Sequence, residues 1–179
     1  ETIPEKIQEK LKTVGLWDVN PLNLFRITWK NEAKETGGLY QAVPNYVEIP
    51  SELSGVPCRI LAMAGKWFPT GCHKVGASFG CLAPRLVTGQ FDADYHHAVW
   101  PSTGNYCRGG AFNSKLLAVD SVAILPAEMS KERFDWLSKI AGQVIATPGC
   151  ESNVKEIFDK TWELKQDPSM MIFNQFAEM

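Results

Sequence analysis

Two short segments of this chain hold residue types that act together in imine chemistry. The first is Pro69-Thr70-Gly71-Cys72-His73-Lys74-Val75-Gly76-Ala77, where a lysine stands in a glycine-flanked turn at a candidate helix start. A lysine amine is almost wholly protonated at neutral pH when exposed, with a pKa of about 10.4. A helix N-terminus and partial burial disfavour the ammonium and free the amine to attack a carbonyl. The second is Ser102-Thr103-Gly104-Asn105, which follows the apolar run Ala98-Val99-Trp100-Pro101 and precedes a candidate helix from Tyr106. A buried strand that ends in a small polar turn and enters a helix makes an anion site from hydroxyls, freed N–H groups and the helix dipole. Together the segments suggest an amino-acid carboxylate held at one loop and an imine formed at the other. Each also has a plainer reading: Lys74 as a solvated surface lysine, and the turn as an ordinary helix cap.

The remaining chemistry-bearing residues are sparse. His73 adjoins the lysine and can donate to an anion, whereas His96-His97 opens a strand and reads as structural. Cys58, Cys72, Cys81, Cys107 and Cys150 are odd in number and contain no CxxC pair. That favours neither a disulfide framework nor a zinc knuckle, and it points to a reducing compartment, the cytoplasm. Cys72 and Cys107 lie beside the two motifs and are candidates to line one cavity. No His/Cys/Asp/Glu grouping has metal-ligand spacing, and GxGxxG, GxxxxGK[ST] and GxSxG are absent. Glycines 104, 109 and 110 leave room for another molecule to approach the backbone.

The elements that must position these residues follow from periodicity. Residues 2–14 read as an amphipathic helix capped by Thr2, with Pro4 in its first turn, Ile7, Leu11 and Val14 on one face, and Gly15 at its end. Residues 17–57 read as a loop-rich lead-in with short apolar pieces at Leu24–Trp29 and Tyr46–Ile49. From residue 58 the pattern alternates. Strands are expected at Arg59–Ala64, His97–Trp100, Ser121–Leu125, Val144–Ala146 and Met170–Phe173. Helices are expected at Lys74–Val87, kinked or cut short by Pro84, and at Asn105–Ala118, with two more capped by Ser130 and Ser152. Alternating strands and helices imply an α/β fold, a parallel sheet covered on both faces, with ligands beyond the carboxyl ends of its strands. The domain reading is therefore a lead-in over 1–57 and an α/β domain over 58–179.

Composition supports an ordinary globular chain: 45% hydrophobic and 21% charged over 179 residues. A net charge of −2 without a basic run gives no sign of a nucleic-acid surface. No apolar stretch reaches the roughly 18 residues of a membrane span. The first residue is not Met, and the chain stops just after an apolar run, which suggests a fragment of a longer protein.

With these residues in view, the chain resembles the pyridoxal-phosphate enzymes of fold type II. The segment 69–77 is similar to the cofactor-lysine segment of the tryptophan synthase β-subunit group. Pro101-Ser102-Thr103-Gly104-Asn105 is similar to the Ser/Thr-Ser/Thr-Gly-Asn loop of cysteine synthase and threonine synthase. Val122-Ala123-Ile124-Leu125-Pro126, Val144-Ile145-Ala146 and Phe173-Asn174-Gln175-Phe176 continue the likeness. The resemblance implies that Lys74 holds the cofactor as a Schiff base and moves the α-proton. It implies that Asn105 bonds the cofactor's phenolic oxygen and that His73 touches its phosphate. Ser102, Thr103, Gly104 and Asn105 would bind the substrate carboxylate. Tyr106-Cys107-Arg108 departs from the cysteine synthase pattern, and Arg108 is a candidate for a second polar group on the substrate. The glycine-rich phosphate cup and the residue facing the pyridine nitrogen have no counterpart in the chain. The implied reaction is β-elimination or β-replacement on a small amino acid by a homodimer, with a second small subunit as a further option. The alternatives are the β-subunit of a 2-amino-4-oxopentanoate thiolase, or a non-catalytic α/β binding domain.

Overall fold

The structure is a computed structural model that describes residues 3–27 and 46–177. It divides into two compact units, Glu1–His73 and Lys74–Met179.

In the first unit, α1 (Glu5–Leu11) starts at Pro4, whose carbonyl accepts from Ile7 and Gln8. The helix is shorter than the expected 2–14, and Thr2, its expected cap, lies outside the described residues. Its early end has a physical cause. The buried Arg26 guanidinium, at the end of a 3₁₀ helix over Pro21–Arg26, donates to the Leu11 carbonyl at 2.7 Å and the Val14 carbonyl at 2.6 Å. A charged donor replaces the next turn of helix as partner for those carbonyls. Of the expected apolar face, Leu11 and Val14 are buried. Thr28 and Trp29, the end of one expected apolar piece, lie outside the described residues.

Strand β1 (Tyr46–Ile49), a short helix α2 (Ser51–Ser54) and strand β2 (Ile60–Met63) follow. The expected strand at 59–64 therefore forms, but not in a parallel sheet. It pairs antiparallel with β1, Tyr46 opposite Met63 and Ile49 opposite Ile60. Its side chains are largely exposed, so its apolar composition reflects a hairpin rather than a sheet interior.

The second unit is a parallel four-stranded sheet with helices on both faces. Its elements are α3 (Lys74–Val87), β3 (His97–Pro101), α4 (Asn105–Leu116), β4 (Ser121–Pro126), α5 (Lys131–Ile140), β5 (Gln143–Thr147), α6 (Val154–Leu164) and β6 (Met170–Ile172). The strand order is β5-β4-β3-β6. Val99 sits opposite both Val122 and Ile172, so β3 is the strand from which the chain builds outward in both directions. Alternation sorts the strand residues. Ala98, Trp100, Ala123 and Leu125 pack with Leu82 of α3, Ala111 of α4 and Leu137 of α5. Val99, Val122 and Ile124 pack with Ile157 of α6 on the other face. Burying residues on both faces explains why β4 is apolar without alternation.

Pro84 does not end α3, which runs to Val87. Pro84 and Gly80, the residue whose carbonyl loses its helical partner, are both exposed, so that carbonyl faces the solvent side of the helix rather than the core. Helix α4 stops at Leu116 rather than Ala118, because Ala118 turns to the left-handed region at φ 57°. Ser130 sits at the N-cap of α5, but its hydroxyl makes no capping bond. The N-cap of α6 is Asn153, not Ser152, and the Asn153 carboxamide oxygen accepts from the Cys150 amide instead.

Candidate functional site

Strand β3 ends at Pro101 and the chain turns through Ser102–Gly104 into α4. The turn is built from three sides. The Ser102 amide donates to the Ile124 carbonyl of β4 at 3.0 Å, which holds the turn to the sheet. The buried Ser102 hydroxyl accepts from the Gly104 amide at 3.1 Å. The Cys107 thiol, one turn into α4, donates to the Gly104 carbonyl at 3.0 Å. Gly104 has φ 155° and ψ −65°, a conformation side chains rarely adopt, so glycine is required at that place.

Gly104 is the N-cap of α4, and no side chain caps this helix. The first N–H groups of a helix have no partner within it, and the helix dipole puts partial positive charge beside them. The turn is therefore not an ordinary cap, and the α4 N-terminus can take an anion. Asn105 is exposed at the first position of the helix.

Beside the turn, a cavity of about 90 Å³ is lined by Ser102, Thr103, Phe158, Asn174, Gln175 and Phe176 among others. It opens between the carboxyl ends of β3 and β6, where the strand order changes direction and where ligands bind in open parallel sheets. Asn174 and Gln175 were not singled out as site residues by sequence reasoning. Their signal was available, since they follow the last strand and must lie at the same end of the sheet as Ser102. A larger groove of about 480 Å³ runs along α6 and β6, but its lining omits the turn.

Lys74 is the first residue of α3 and is half-buried. Its helix start is locked to α4. The buried Asn113 carboxamide donates to the Val75 carbonyl at 2.7 Å and to the Ser78 hydroxyl at 2.9 Å. The bare Cα of Gly109 accepts the α3 backbone so closely that a methyl there would lie 2.9 Å from the Lys74 oxygen and the Val75 nitrogen. Gly109 is four residues into α4, so the Lys74 backbone sits about 6 Å, one helical turn, from the level of Asn105. The segment before Lys74 is also constrained. Thr70 is buried with φ 65°, an outlier for a β-branched residue, and Gly71 follows at φ 69°.

Two expectations about small residues are corrected. Gly109 and Gly110 do not open the backbone to another molecule. Gly109 meets α3, and a methyl on Gly110 would fall 2.1 Å from the Trp100 ring. Cys107 is buried and turned to the Gly104 carbonyl, and the cavity lining does not include it. Burial pushes its thiol pKa up to about 12, against the lowering effect of Arg133 and Arg108. The Arg108 guanidinium lies over the Trp136 ring of α5 at 5.8 Å. His73 is exposed, with Nδ1 3.7 Å from Cys72 Sγ. His97 pairs with Asp120 at 2.7 Å and His96 accepts from the Asp92 amide at 2.9 Å, both structural uses. Among the described residues no group of His, Cys, Asp and Glu is arranged to hold a metal ion, and no helix is long and apolar enough to cross a membrane.

No family model and no curated protein matches the chain. Solved structures do. A hydrogen sulfide-producing enzyme from Fusobacterium nucleatum matches with TM-score 0.60 and 22% identity, over 74% of this chain and 42% of its own. An O-acetylserine-dependent cystathionine β-synthase from Helicobacter pylori matches with TM-score 0.62 and 18% identity, over 72% and 42%. O-acetylserine sulfhydrylase isoform 3 from Entamoeba histolytica matches with TM-score 0.62 and 19% identity, over 74% and 41%. The chain thus spans about two fifths of the length of these proteins and shares their fold, the fold type II architecture expected from the sequence resemblance.

Proposed function

We propose that this chain carries the lysine and carboxylate-clamp portion of a pyridoxal-phosphate enzyme that eliminates or replaces the β-substituent of a small amino acid. The observation that carries this reading is the uncapped α4 N-terminus at Ser102–Asn105, with the start of α3 at Lys74 packed against Gly109, one turn further along α4. A carboxylate donor set and a lysine whose helix start packs on the same α4 helix fit a Schiff-base cofactor and an amino-acid substrate. The named activities of the similar folds, hydrogen sulfide production and O-acetylserine chemistry, support sulfur as the class of incoming or leaving group.

Pyridoxal phosphate, when bound, supplies the electron sink for bond breaking at the amino-acid α-carbon. In this reading Lys74 would hold the cofactor through Nζ and would carry the α-proton. Ser102, Thr103 and the N–H groups of the α4 first turn bind the carboxylate and orient the α-carbon toward the lysine. Asn105 would hold the cofactor's phenolic oxygen, and His73 its phosphate. Asn174 and Gln175 close the cavity beside the turn. Arg108, over the Trp136 ring, would meet a second polar group on the substrate.

The full-length protein should turn yellow with pyridoxal phosphate, and borohydride should fix a phosphopyridoxyl group on Lys74, read by peptide mapping. Lys74→Ala should abolish the label. A colourless protein, or a label on another lysine, refutes the proposal.

A further inference from the structure

One charged side chain reaches the turn from outside both motifs. Arg133, in the first turn of α5, donates from Nη1 to the Thr103 carbonyl at 3.1 Å. Its guanidinium fills the space over the Gly104 Cα, where a methyl would lie 2.2 Å from Nη1 and 2.7 Å from Cζ. Among the described residues no carboxylate pairs with it, and its Nε is buried without a hydrogen-bond partner. An arginine placed only to stabilise the fold would be expected to satisfy that donor or to meet an acid. This one is committed to a single backbone oxygen.

The choice of oxygen matters. A trans peptide is planar, so its C=O and N–H point in opposite directions. The Thr103–Gly104 peptide is gripped at both ends, its carbonyl by Arg133 and its N–H by the Ser102 hydroxyl. Rotated by half a turn, the same peptide would present its carbonyl dipole on the Ser102 side, where a carboxylate would then meet partial negative charge. A neutral donor could hold the carbonyl. A guanidinium also leaves a positive charge behind the turn, and that charge is felt locally, since Arg133 heads the charged groups that lower the Cys107 thiol against its burial.

We infer that Arg133 is a positioning residue for the carboxylate clamp: it fixes the Thr103–Gly104 peptide with its carbonyl turned away from the bound carboxylate and keeps an uncancelled positive charge behind the turn. The inference rests on the proposed reading of Ser102–Asn105 as that clamp.

The test compares Arg133→Met, which keeps the length of the side chain, with Arg133→Lys, which keeps a donor and the charge. Amide hydrogen exchange of the 102–107 peptide is measured without cofactor or substrate. KM and kcat are measured on the holoenzyme with O-acetyl-L-serine as the probe. Arg133→Met should speed loop exchange about tenfold and raise KM about tenfold with kcat within twofold, and Arg133→Lys should recover most of both. Unchanged exchange in Arg133→Met overturns the inference whatever KM does. Faster exchange with unchanged KM overturns the link to the carboxylate. A merely structural role would instead lower kcat and thermal stability alike in both variants. Should the protein fail to bind pyridoxal phosphate, the proposed function falls, while the exchange measurement still reports whether Arg133 holds the turn.

Discussion

Gly109→Ala tests whether the place of Lys74 is set by the contact between α3 and α4. The added methyl would lie 2.9 Å from the Lys74 oxygen, the Val75 Cα and the Val75 nitrogen, where ordinary contacts begin near 3.4 Å. All three atoms are backbone, so no side chain can rotate away, and the helices must separate by about 0.5 Å, the shortfall from ordinary contact. Two effects oppose one another. Alanine in a helix interior is favoured over glycine by about 1 kcal/mol. Overpacking costs about 1–3 kcal/mol. The net expectation is a destabilisation of about 0–2 kcal/mol, a fall of up to about 10 °C in Tm for a unit of this size. The displacement carries the lysine with it. A misplacement of about 1 Å can cost about 100-fold in rate, so half of that predicts about a tenfold slower reaction of Lys74 with pyridoxal phosphate. Urea unfolding and the rate of borohydride-trapped labelling measure the two effects. Gly80→Ala is the control, because nothing lies within 4 Å of a methyl at that position of α3, and it should stabilise by about 1 kcal/mol without slowing Lys74. If Gly109→Ala behaves like Gly80→Ala, the close approach does not exist and Lys74 is not positioned by α4.

Other consequences are open to direct measurement. Ser114→Ala removes the acceptor of the buried Trp100 indole N–H at 3.0 Å and should destabilise the second unit by about 1–3 kcal/mol in denaturant melts, whereas no loss would mean that the bond carries no weight. Arg26→Met should leave the Leu11 and Val14 carbonyls without their charged donor and loosen α1, seen as faster amide exchange over 5–15 with α4 unchanged; equal exchange would discount the guanidinium as the helix stop. Cys107 should resist iodoacetamide at pH 8 while exposed Cys58 and Cys150 react, and prompt alkylation of Cys107 would contradict its burial. The same thiol predicts a pH effect. Folding raises its pKa from 9.0 to about 12, so the unfolded chain loses the proton first, and this contribution is whole below pH 9 and declines as pH rises toward 12. Cys107→Ala should flatten that part of the stability profile.

The second unit was legible because its strands are buried on both faces. β4 is buried along its whole length, and such a strand cannot hide its pattern. Helix ends were less legible, since they depend on atoms distant in sequence. α1 stops where Arg26, fifteen positions on, takes the Leu11 carbonyl. β2 has the composition of a sheet strand, and only its pairing with β1 shows that it belongs to a hairpin. Short apolar runs do not distinguish these cases.

The candidate site shows the same division more sharply. The types Ser, Thr, Gly and Asn in a strand-to-helix turn are a local signal, and that turn forms at the expected end of β3. Its shape is not local. Ile124 of β4 fixes Ser102, Arg133 of α5 fixes Thr103, and Gly104 needs a backbone conformation that the first two contacts impose. The neighbouring glycines separate for the same reason. Gly104 admits a guanidinium, Gly109 a helix backbone and Gly110 an indole ring, although in sequence the three look alike. A motif search therefore finds where an anion can be held, while the direction in which the turn presents its N–H groups is decided by one strand and one helix it never mentions. If that is correct, grafting Ser-Thr-Gly-Asn onto another strand-to-helix turn without an arginine behind it should yield a weaker carboxylate site, and adding the arginine should recover it.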